Sequence, residues 1–188
     1  MAKIVAFAGS NRRESMNRKA LALAVEGART AGAEVEVIDL REHPMPIYDA
    51  EWHAANGVPE PMLPLRKKMI EAQGLLIASP EYNTSITPLL KNTIDWLSQD
   101  VDGQSGRLPF ENKVVGLMGA SAGGFGTIRA LPHVSYILSN LGAIVLPVVA
   151  VPRADGLMNE DGSVKNERAA ASLRELGARV ARNAGIFR

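Results

Sequence analysis

Short apolar runs alternate with helix-like segments along almost the whole chain, and this alternation constrains the fold most strongly. Continuous apolar runs at residues 3–8, 74–79, 113–119 and 143–151 have the length of buried strands. Residues 34–38 alternate acidic and apolar side chains, which is typical of a strand near a sheet edge. Helical spacing occurs at residues 17–31, 89–97, 127–141 and 166–183. Residues 69–72 are predicted to form the end of a further helix. The pattern predicts an α/β fold with a parallel sheet between two helical layers.

One domain spanning residues 1–188 is expected from the length of the chain. No internal repeat, linker or low-complexity tract interrupts the sequence. Residues 43–64 contain five prolines without clear periodicity, so they are predicted to form a long loop. Loops of this length inside a compact domain are often functional, and this one is a candidate wall of a substrate pocket.

Composition excludes several classes of function. The chain has 21 lysines and arginines against 20 acids, so its charge gives no reason to expect nucleic acid or an anionic membrane as a partner. It has no cysteine, which removes disulfides, iron–sulfur clusters and thiol nucleophiles, and its scattered histidines predict no metal site. We see no export signal and no apolar run of the roughly 18 residues that a membrane span needs, so a cytoplasmic protein is expected. Any redox chemistry must come from a bound cofactor.

Ligands of open α/β sheets bind at the carboxyl ends of the strands, which directs attention to the loops after residues 8, 79 and 119. The first loop joins a strand to a helix, so it offers free backbone N–H groups and the positive end of a helix dipole. Its side chains add hydroxyl, amide and guanidinium donors. The predicted phosphate donors are Ser10, Ser15 and Asn17, with charge from Arg12 or Arg13. Met16, in the same loop, is predicted to bind the cofactor. The alternative is that Ser15 or Asn17 only caps the helix.

The phosphate is expected to be a terminal monophosphate. A Walker A loop would need Gly-Lys-Ser/Thr, and a dinucleotide fingerprint would need three spaced glycines, of which only Gly9 is present. Asp39, which follows the second strand, superficially resembles the ribose-binding acid of that fingerprint. Without the glycines we interpret Asp39 as structural.

Two of the loops resemble those of a known family. Gly9-Ser10-x-Arg12-x-x-Ser15-x-Asn17 is similar to the phosphate loop of the NADPH-dependent FMN reductases, although Asn11 stands where a hydrophobic residue is common. Pro80-Glu81-Tyr82-Asn83, with the helix that follows it through Trp96, resembles the family segment that lies along the flavin ring. The resemblance implies a flavodoxin-like three-layer sandwich with a five-stranded parallel sheet. It also implies that Pro80, Glu81, Tyr82 and Asn83 contact FMN.

The third loop allows a second interpretation. Gly119-x-Ser121-x-Gly123 matches the nucleophile elbow of an α/β-hydrolase. That enzyme class needs a histidine after the acid of the triad, and His133, the last of the three histidines, precedes Asp155 and Asp161. We therefore disfavour hydrolysis. The family resemblance instead places flavin contacts at Ser121 and Gly124, where glycines let the backbone approach a flat ring.

The function that the resemblance implies is a ping-pong reductase. NADPH or NADH would reduce FMN and leave, and a small acceptor (quinone, azo, nitro, chromate or flavin) would then take the electrons. No protein acid or base is needed for the hydride step, so no catalytic side chain is predicted. The family also forms homodimers or homotetramers. The remaining alternative is an FMN electron carrier without nicotinamide activity, but such carriers are strongly acidic and this chain is nearly neutral.

Overall fold

The computed structural model describes residues 1–159 and 161–186. Residues 160, 187 and 188 of the predicted domain lie outside the described part. The strands are β1 (Lys3–Ala8), β2 (Glu34–Ile38), β3 (Gly74–Ala78), β4 (Val114–Ala120), β5 (Ile144–Val145) and β6 (Val149–Val151). The helices are α1 (Met16–Thr30), α2 (Ala50–Asn56), α3 (Met62–Glu71), α4 (Pro88–Leu97), α5 (Leu131–Asn140) and α6 (Glu167–Ala184).

The sheet is parallel throughout, in the order β2-β1-β3-β4-β5. This confirms the predicted five-stranded flavodoxin-like fold, with β3 buried in the centre and β2 at one edge. The connections put the carboxyl ends of β1, β3 and β4 on one side of the sheet. The three loops singled out from the sequence therefore meet there.

The strand predicted at the fifth position of the sheet is divided into two short strands, which corrects one prediction. Residues 143–151 were expected to form one strand, but β5 pairs with the start of β4 and β6 with its end. Pro147 lies between the two pieces and has no N–H to donate to the ladder, which explains why the strand breaks there.

Two apolar clusters fill the space on either side of the sheet. One packs α1 and α6 against Ile4, Ala6 and Ala8 of β1. The other packs α3, α4 and α5 against Val5 and Phe7 on the opposite face of the same strand. Successive side chains of a strand point to opposite faces, so a continuous apolar run is what a strand covered on both sides requires.

The prediction of a long loop over residues 43–64 is partly wrong. It contains helix α2 and the beginning of α3. Trp96 of α4 anchors the segment, because its indole Nε1 donates to Pro46 O at 2.7 Å and its ring packs edge-on against Tyr48. Trp96 is itself fully buried.

Helix α5 also differs from its prediction, since it begins at Leu131 rather than at residue 127. The preceding residues form turns that belong to the third loop. Among the described residues, no helix combines the length and the apolar character that crossing a membrane requires.

Candidate functional site

The first loop presents unsatisfied backbone donors. Within the described residues, the backbone N–H groups of residues 13–17 have no hydrogen-bond acceptor. Ser10 is buried and its Oγ accepts from the N–H of Arg12 at 3.4 Å, which curls the loop before α1 begins. Arg12 itself is exposed. An anion at this helix N-terminus would find several N–H groups and a guanidinium within one short loop.

Ser15 and Asn17 both have structural partners. Ser15 is the N-cap of α1, where its Oγ accepts from the N–H of Arg18 at 3.4 Å. The buried Asn17 carboxamide exchanges two hydrogen bonds with Ala120, donating from Nδ2 to its carbonyl at 2.9 Å and accepting its N–H at Oδ1 at 3.0 Å. The capping interpretation therefore holds for Ser15, and Asn17 ties the first loop to the end of β4. Met16 is half-buried against the α1 and α6 cluster.

The second loop is a tight hairpin turn. Tyr82 and Ser85 exchange backbone hydrogen bonds of 3.1 and 3.0 Å. Between them Asn83 and Thr84 have φ values of 48° and 65°, as a two-residue type I′ turn requires. A β-branched threonine is rare in this conformation, so the turn is held in place by its surroundings. Pro80 is half-buried and Tyr82 is 55% exposed, which leaves their side chains available to a ligand.

Glu81 fastens the second loop to the third. Its side chain is only 7% exposed. The carboxylate accepts the backbone N–H groups of Arg129 and Ala130 at 3.1 Å each, and it also pairs with the Arg129 guanidinium through Nε at 2.8 Å. Its side chain is thus committed to the protein, and only its backbone is free to meet a flavin.

The third loop is also rich in free donors. In the part of the chain that the structure describes, the N–H groups of residues 122–127 have no acceptor. No described atom lies within 4 Å of the position that a Cβ would take at Gly124, so the space beside this backbone is open. Half-buried Ser121 has its Oγ 3.5 Å from Gly123 O. A flat ring can therefore approach the main chain of this loop closely.

Gly119 has a different reason to be glycine. A Cβ at this position would lie 1.7 Å from Thr127 Oγ1. Thr127 is buried with φ of 70°, and its Oγ1 has no hydrogen-bond partner among the described residues. The glycine that opens the elbow-like motif is thus needed for packing beneath the loop.

A further contact joins the first and second loops. Thr87, the N-cap of α4, donates from its buried Oγ1 to Gly9 O at 3.0 Å, and the N–H of Gly9 donates to Ala78 O at 2.9 Å. With the Asn17 and Glu81 contacts, all three loops are fixed to one another. The three donor-rich loops are thus held together without a ligand.

The hydrolase interpretation finds no support in this geometry. His133 is hydrogen-bonded through Nδ1 to Ser85 Oγ at 2.8 Å, and in the described residues no histidine is paired with Ser121. The serine of the elbow-like motif therefore lacks a base.

Asp39 is held by two arginines at the end of β2. Arg41 Nη2 lies 2.5 Å from Asp39 Oδ2, and Arg18 Nη2 lies 2.7 Å from Oδ1. The hydrogen bond from the Arg41 guanidinium, assisted by Arg18, holds the pKa of the Asp39 carboxyl well below its ordinary range. These contacts fit the structural role that the sequence indicated.

The residues that sequence reasoning missed are those that hold the loops together. The contacts of Arg129, Thr87 and His133 are all long-range, because each residue acts on one at least 48 positions away. Only the polar N-cap pattern of Thr87 before Pro88 gave a local signal.

Taken together, the fold and the three donor-rich loops define a flavodoxin-like α/β protein. A solved structure of similar fold, the flavoenzyme NAD(P)H:(acceptor) oxidoreductase FerB from Paracoccus denitrificans, has a TM-score of 0.81 at 24% identity and covers 100% of this chain and 99% of its own. A family model described as NADPH-dependent FMN reductase matches residues 2–156.

Two sequence relatives agree with that match. An NAD(P)H-dependent FMN reductase of Pseudomonas aeruginosa is 34% identical over 169 residues, covering 89% of this chain and 86% of the relative. A quinone reductase of Escherichia coli is 34% identical over 145 residues, covering 77% and 73%. The chain belongs to the NADPH-dependent FMN reductase family and is an oxidoreductase.

Proposed function

We propose that this protein binds FMN across the three loops and uses it to pass electrons from NADPH or NADH to a small acceptor. The observation that carries the proposal is the meeting of two sets of unsatisfied N–H groups, at residues 13–17 and 122–127, on one edge of the sheet. A phosphate suits the first set because it lies at a helix N-terminus, and the polar edge of a flavin ring suits the second. Membership of the family supports the identity of the cofactor.

Each loop has a distinct task in this proposal. In the first, Ser10, Arg12 and the amides up to Asn17 hold the phosphate, while Ser15 and Asn17 fix the shape of the loop. Pro80, Tyr82, Asn83 and the backbone of Glu81 form a wall along the flavin ring. Ser121 and Gly124 face the ring from the third loop, and Met16 lies beside the phosphate end. When bound, FMN supplies the hydride chemistry, and these residues orient it without acting as acid or base.

The acceptor is proposed to be a small electrophile, with quinones first because quinone reductases are among the relatives. Ping-pong use of one site requires that NAD(P)H leave before the acceptor enters, which a shallow open site permits. The exposed backbone of Gly124 and the exposed Tyr82 ring are consistent with such a site.

A homodimer is proposed to form through the face of α2 and the segment before it. Ile47, in the segment before α2, is 86% exposed, and Trp52 of α2 is also a large apolar side chain on the surface. An apolar face of this kind is a typical protein interaction site. Light scattering should therefore report a dimer or a multiple of it, and Ile47→Asp should shift the protein toward the monomer.

The experiment that tests the proposed function is anaerobic reduction of the FMN-loaded protein. NADPH or NADH should bleach the flavin absorbance within seconds, and added 1,4-benzoquinone should restore it. Bound FMN that neither nicotinamide bleaches would indicate an electron carrier instead. A protein that retains no FMN would refute the proposal.

A further inference from the structure

A hydrogen-bonded serine and histidine lie at the edge of the proposed flavin site. Ser85 closes the hairpin turn with Tyr82, and its Oγ is 2.8 Å from His133 Nδ1. His133 lies in the first turn of α5, which Glu81 fastens to the same loop through Arg129 and Ala130. The imidazole is thus held beside the turn by contacts on both sides.

Packing does not explain the pair. His133 is exposed and Ser85 is half-buried, while the apolar contacts of α5 come from its buried residues Leu131, Val134 and Leu138. An exposed hydrogen bond of this kind contributes little to stability, because water competes for both partners.

The charged groups next to the imidazole are paired with each other rather than with His133. Glu81 and Arg129 form an ion pair, and Tyr82 and Tyr136 are exposed phenols. Tyr136 lies three residues along α5 from His133 and so shares its face of the helix. Among the described side chains, His133 is hydrogen-bonded to Ser85, and histidine is the side chain most often used for proton transfer.

We propose that His133 is the proton donor for the acceptor, with Ser85 as its positioning residue. This inference rests on the proposed function. Reduction of a quinone to a hydroquinone requires a hydride and a proton. Bound FMN would supply the hydride with its two electrons, and the quinone would be left with an anionic oxygen. The Nε2–H bond of the imidazolium breaks, its proton goes to that oxygen, and the neutral imidazole regains a proton from water.

Ser85 keeps the ring oriented during this exchange. In this proposal the Oγ, 2.8 Å from Nδ1, accepts the Nδ1–H bond both before and after the transfer, so that only the proton on Nε2 changes. The geometry thus separates the positioning nitrogen from the reacting one, as in other histidine acid–base sites.

The test compares two acceptors with the FMN-loaded protein in anaerobic stopped flow. Reduction of 1,4-benzoquinone needs a proton, whereas ferricyanide takes one electron and no proton. His133→Gln should lower the rate with benzoquinone by about tenfold or more at pH 7. The rate with ferricyanide and the bleaching by NADPH should stay within about twofold of the unaltered protein.

The pH profile and a spectroscopic measurement separate a chemical role from a structural one. The benzoquinone rate of the unaltered protein should fall as pH rises, because fewer protons are available to the donor, and His133→Gln should lose that dependence. Addition of hydroquinone to the oxidised FMN-loaded protein should move the NMR resonance of the His133 Cε1 proton. Ser85→Ala should shift the pH dependence and lower the rate less than His133→Gln, whereas Ser139→Ala, an exposed change on the same helix, should alter neither.

Either of two results would overturn this inference. One is a benzoquinone rate that His133→Gln leaves unchanged, and the other is an equal loss with both acceptors, which would indicate a general effect on the flavin. Circular dichroism and the FMN absorbance of each variant establish that it is folded and loaded. Failure of the unaltered protein to be bleached by NADPH would instead refute the proposed function, so the two failures are distinguishable.

Discussion

The Glu81 side chain joins two loops of the proposed site. Its carboxylate accepts two backbone N–H groups and pairs with Arg129, at a depth where only 7% of the side chain meets solvent. Hydrogen bonds to a charged group are stronger than neutral ones, and a partly buried carboxylate excludes the water that would compete. The second and third loops therefore keep their spacing before any ligand arrives.

Substitution of this residue is expected to affect both stability and binding. Glu81→Gln keeps the volume but removes the charge, so the free energy of unfolding should fall by about 2 kcal/mol. FMN should bind more weakly because the loops lose their fixed spacing. Urea denaturation of the apoprotein and fluorescence titration with FMN measure the two effects.

The control is Glu111→Gln, which removes an exposed carboxylate whose ion pair with Arg107 spans 3.9 Å. That pair should contribute less than about 0.5 kcal/mol. Equal effects of the two substitutions would contradict the role given to Glu81.

Substitution of Gly124 tests directly whether the flavin ring approaches the backbone of the third loop. No described atom lies near its missing Cβ, so Gly124→Ala should leave the apoprotein as stable as before, within about 0.5 kcal/mol. A methyl group on this backbone should nevertheless obstruct the ring and weaken FMN binding by about tenfold, as measured by titration. Gly156→Ala, another position with open space, should leave FMN affinity unchanged. An unaltered FMN affinity of Gly124→Ala would indicate that the flavin ring does not lie against the third loop.

Asp39 gives an expectation for the pH dependence of stability. Its pKa is depressed in the folded protein, chiefly by Arg41, so the folded state binds its proton less readily than the unfolded chain does. The stabilisation is fully present above the unfolded pKa of about 4, and it is lost as pH falls below that value. The stability of Asp39→Asn and that of the unaltered protein, measured by denaturation, should therefore differ at pH 7, and the difference should shrink steadily as pH falls below about 4. A difference that grows with acidity would contradict this explanation.

For single residues, the sequence identified which ones belong to the loops but not what each side chain contacts. Asn17 and Glu81 were assigned to the ligand, yet their side chains bind backbone groups 103 and 48 or 49 positions away. Such partners depend on how the strands are ordered in the sheet, and no local pattern encodes that. Backbone donors, in contrast, follow from a strand-to-helix junction and were predictable.

Among the elements, the crossing of α1 and α6 depends on two glycines. A Cβ at Gly27 would lie 1.9 Å from Arg174 O, and one at Gly177 would lie 1.8 Å from Ala24 O. The helix backbones therefore touch at both points, which brings the side chains of the α1 and α6 cluster together.

Substitution of a glycine at this crossing should lower the stability of the protein. Gly27→Ala must push the helices apart, and we expect the free energy of unfolding to fall by about 3 kcal/mol. Gly156→Ala, where a Cβ meets no described atom, is the control and should change stability little. Chemical denaturation measures both, and a stable Gly27→Ala variant would show that the helices do not approach so closely.

Strands buried on both faces and helices with a clear apolar period could be predicted from the sequence. Elements that lack both features could not. Helix α2 has seven residues and none is buried, so it left no apolar period within the proline-rich segment at 43–64. The break between β5 and β6 did have a signal, because Pro147 cannot donate to a sheet ladder. The apolar run around it concealed that signal.

For the whole molecule, the order of strands and helices determines where the site is formed. Alternation of strands and helices implies parallel pairing, and parallel pairing collects the loops after β1, β3 and β4 at one edge. The position of the site was thus predictable before any side-chain contact was known. The proposal of FMN as its cofactor rests on the donors of the loops together with the family.

The most direct test of this account is titration of the apoprotein with FMN and with riboflavin, which differ only in the phosphate. If the free N–H groups of residues 13–17 hold a phosphate, FMN should bind about 100-fold or more tightly than riboflavin, since charge-assisted hydrogen bonds to an anion are strong. Equal affinity for the two ligands, or no binding of FMN, would contradict the central claim.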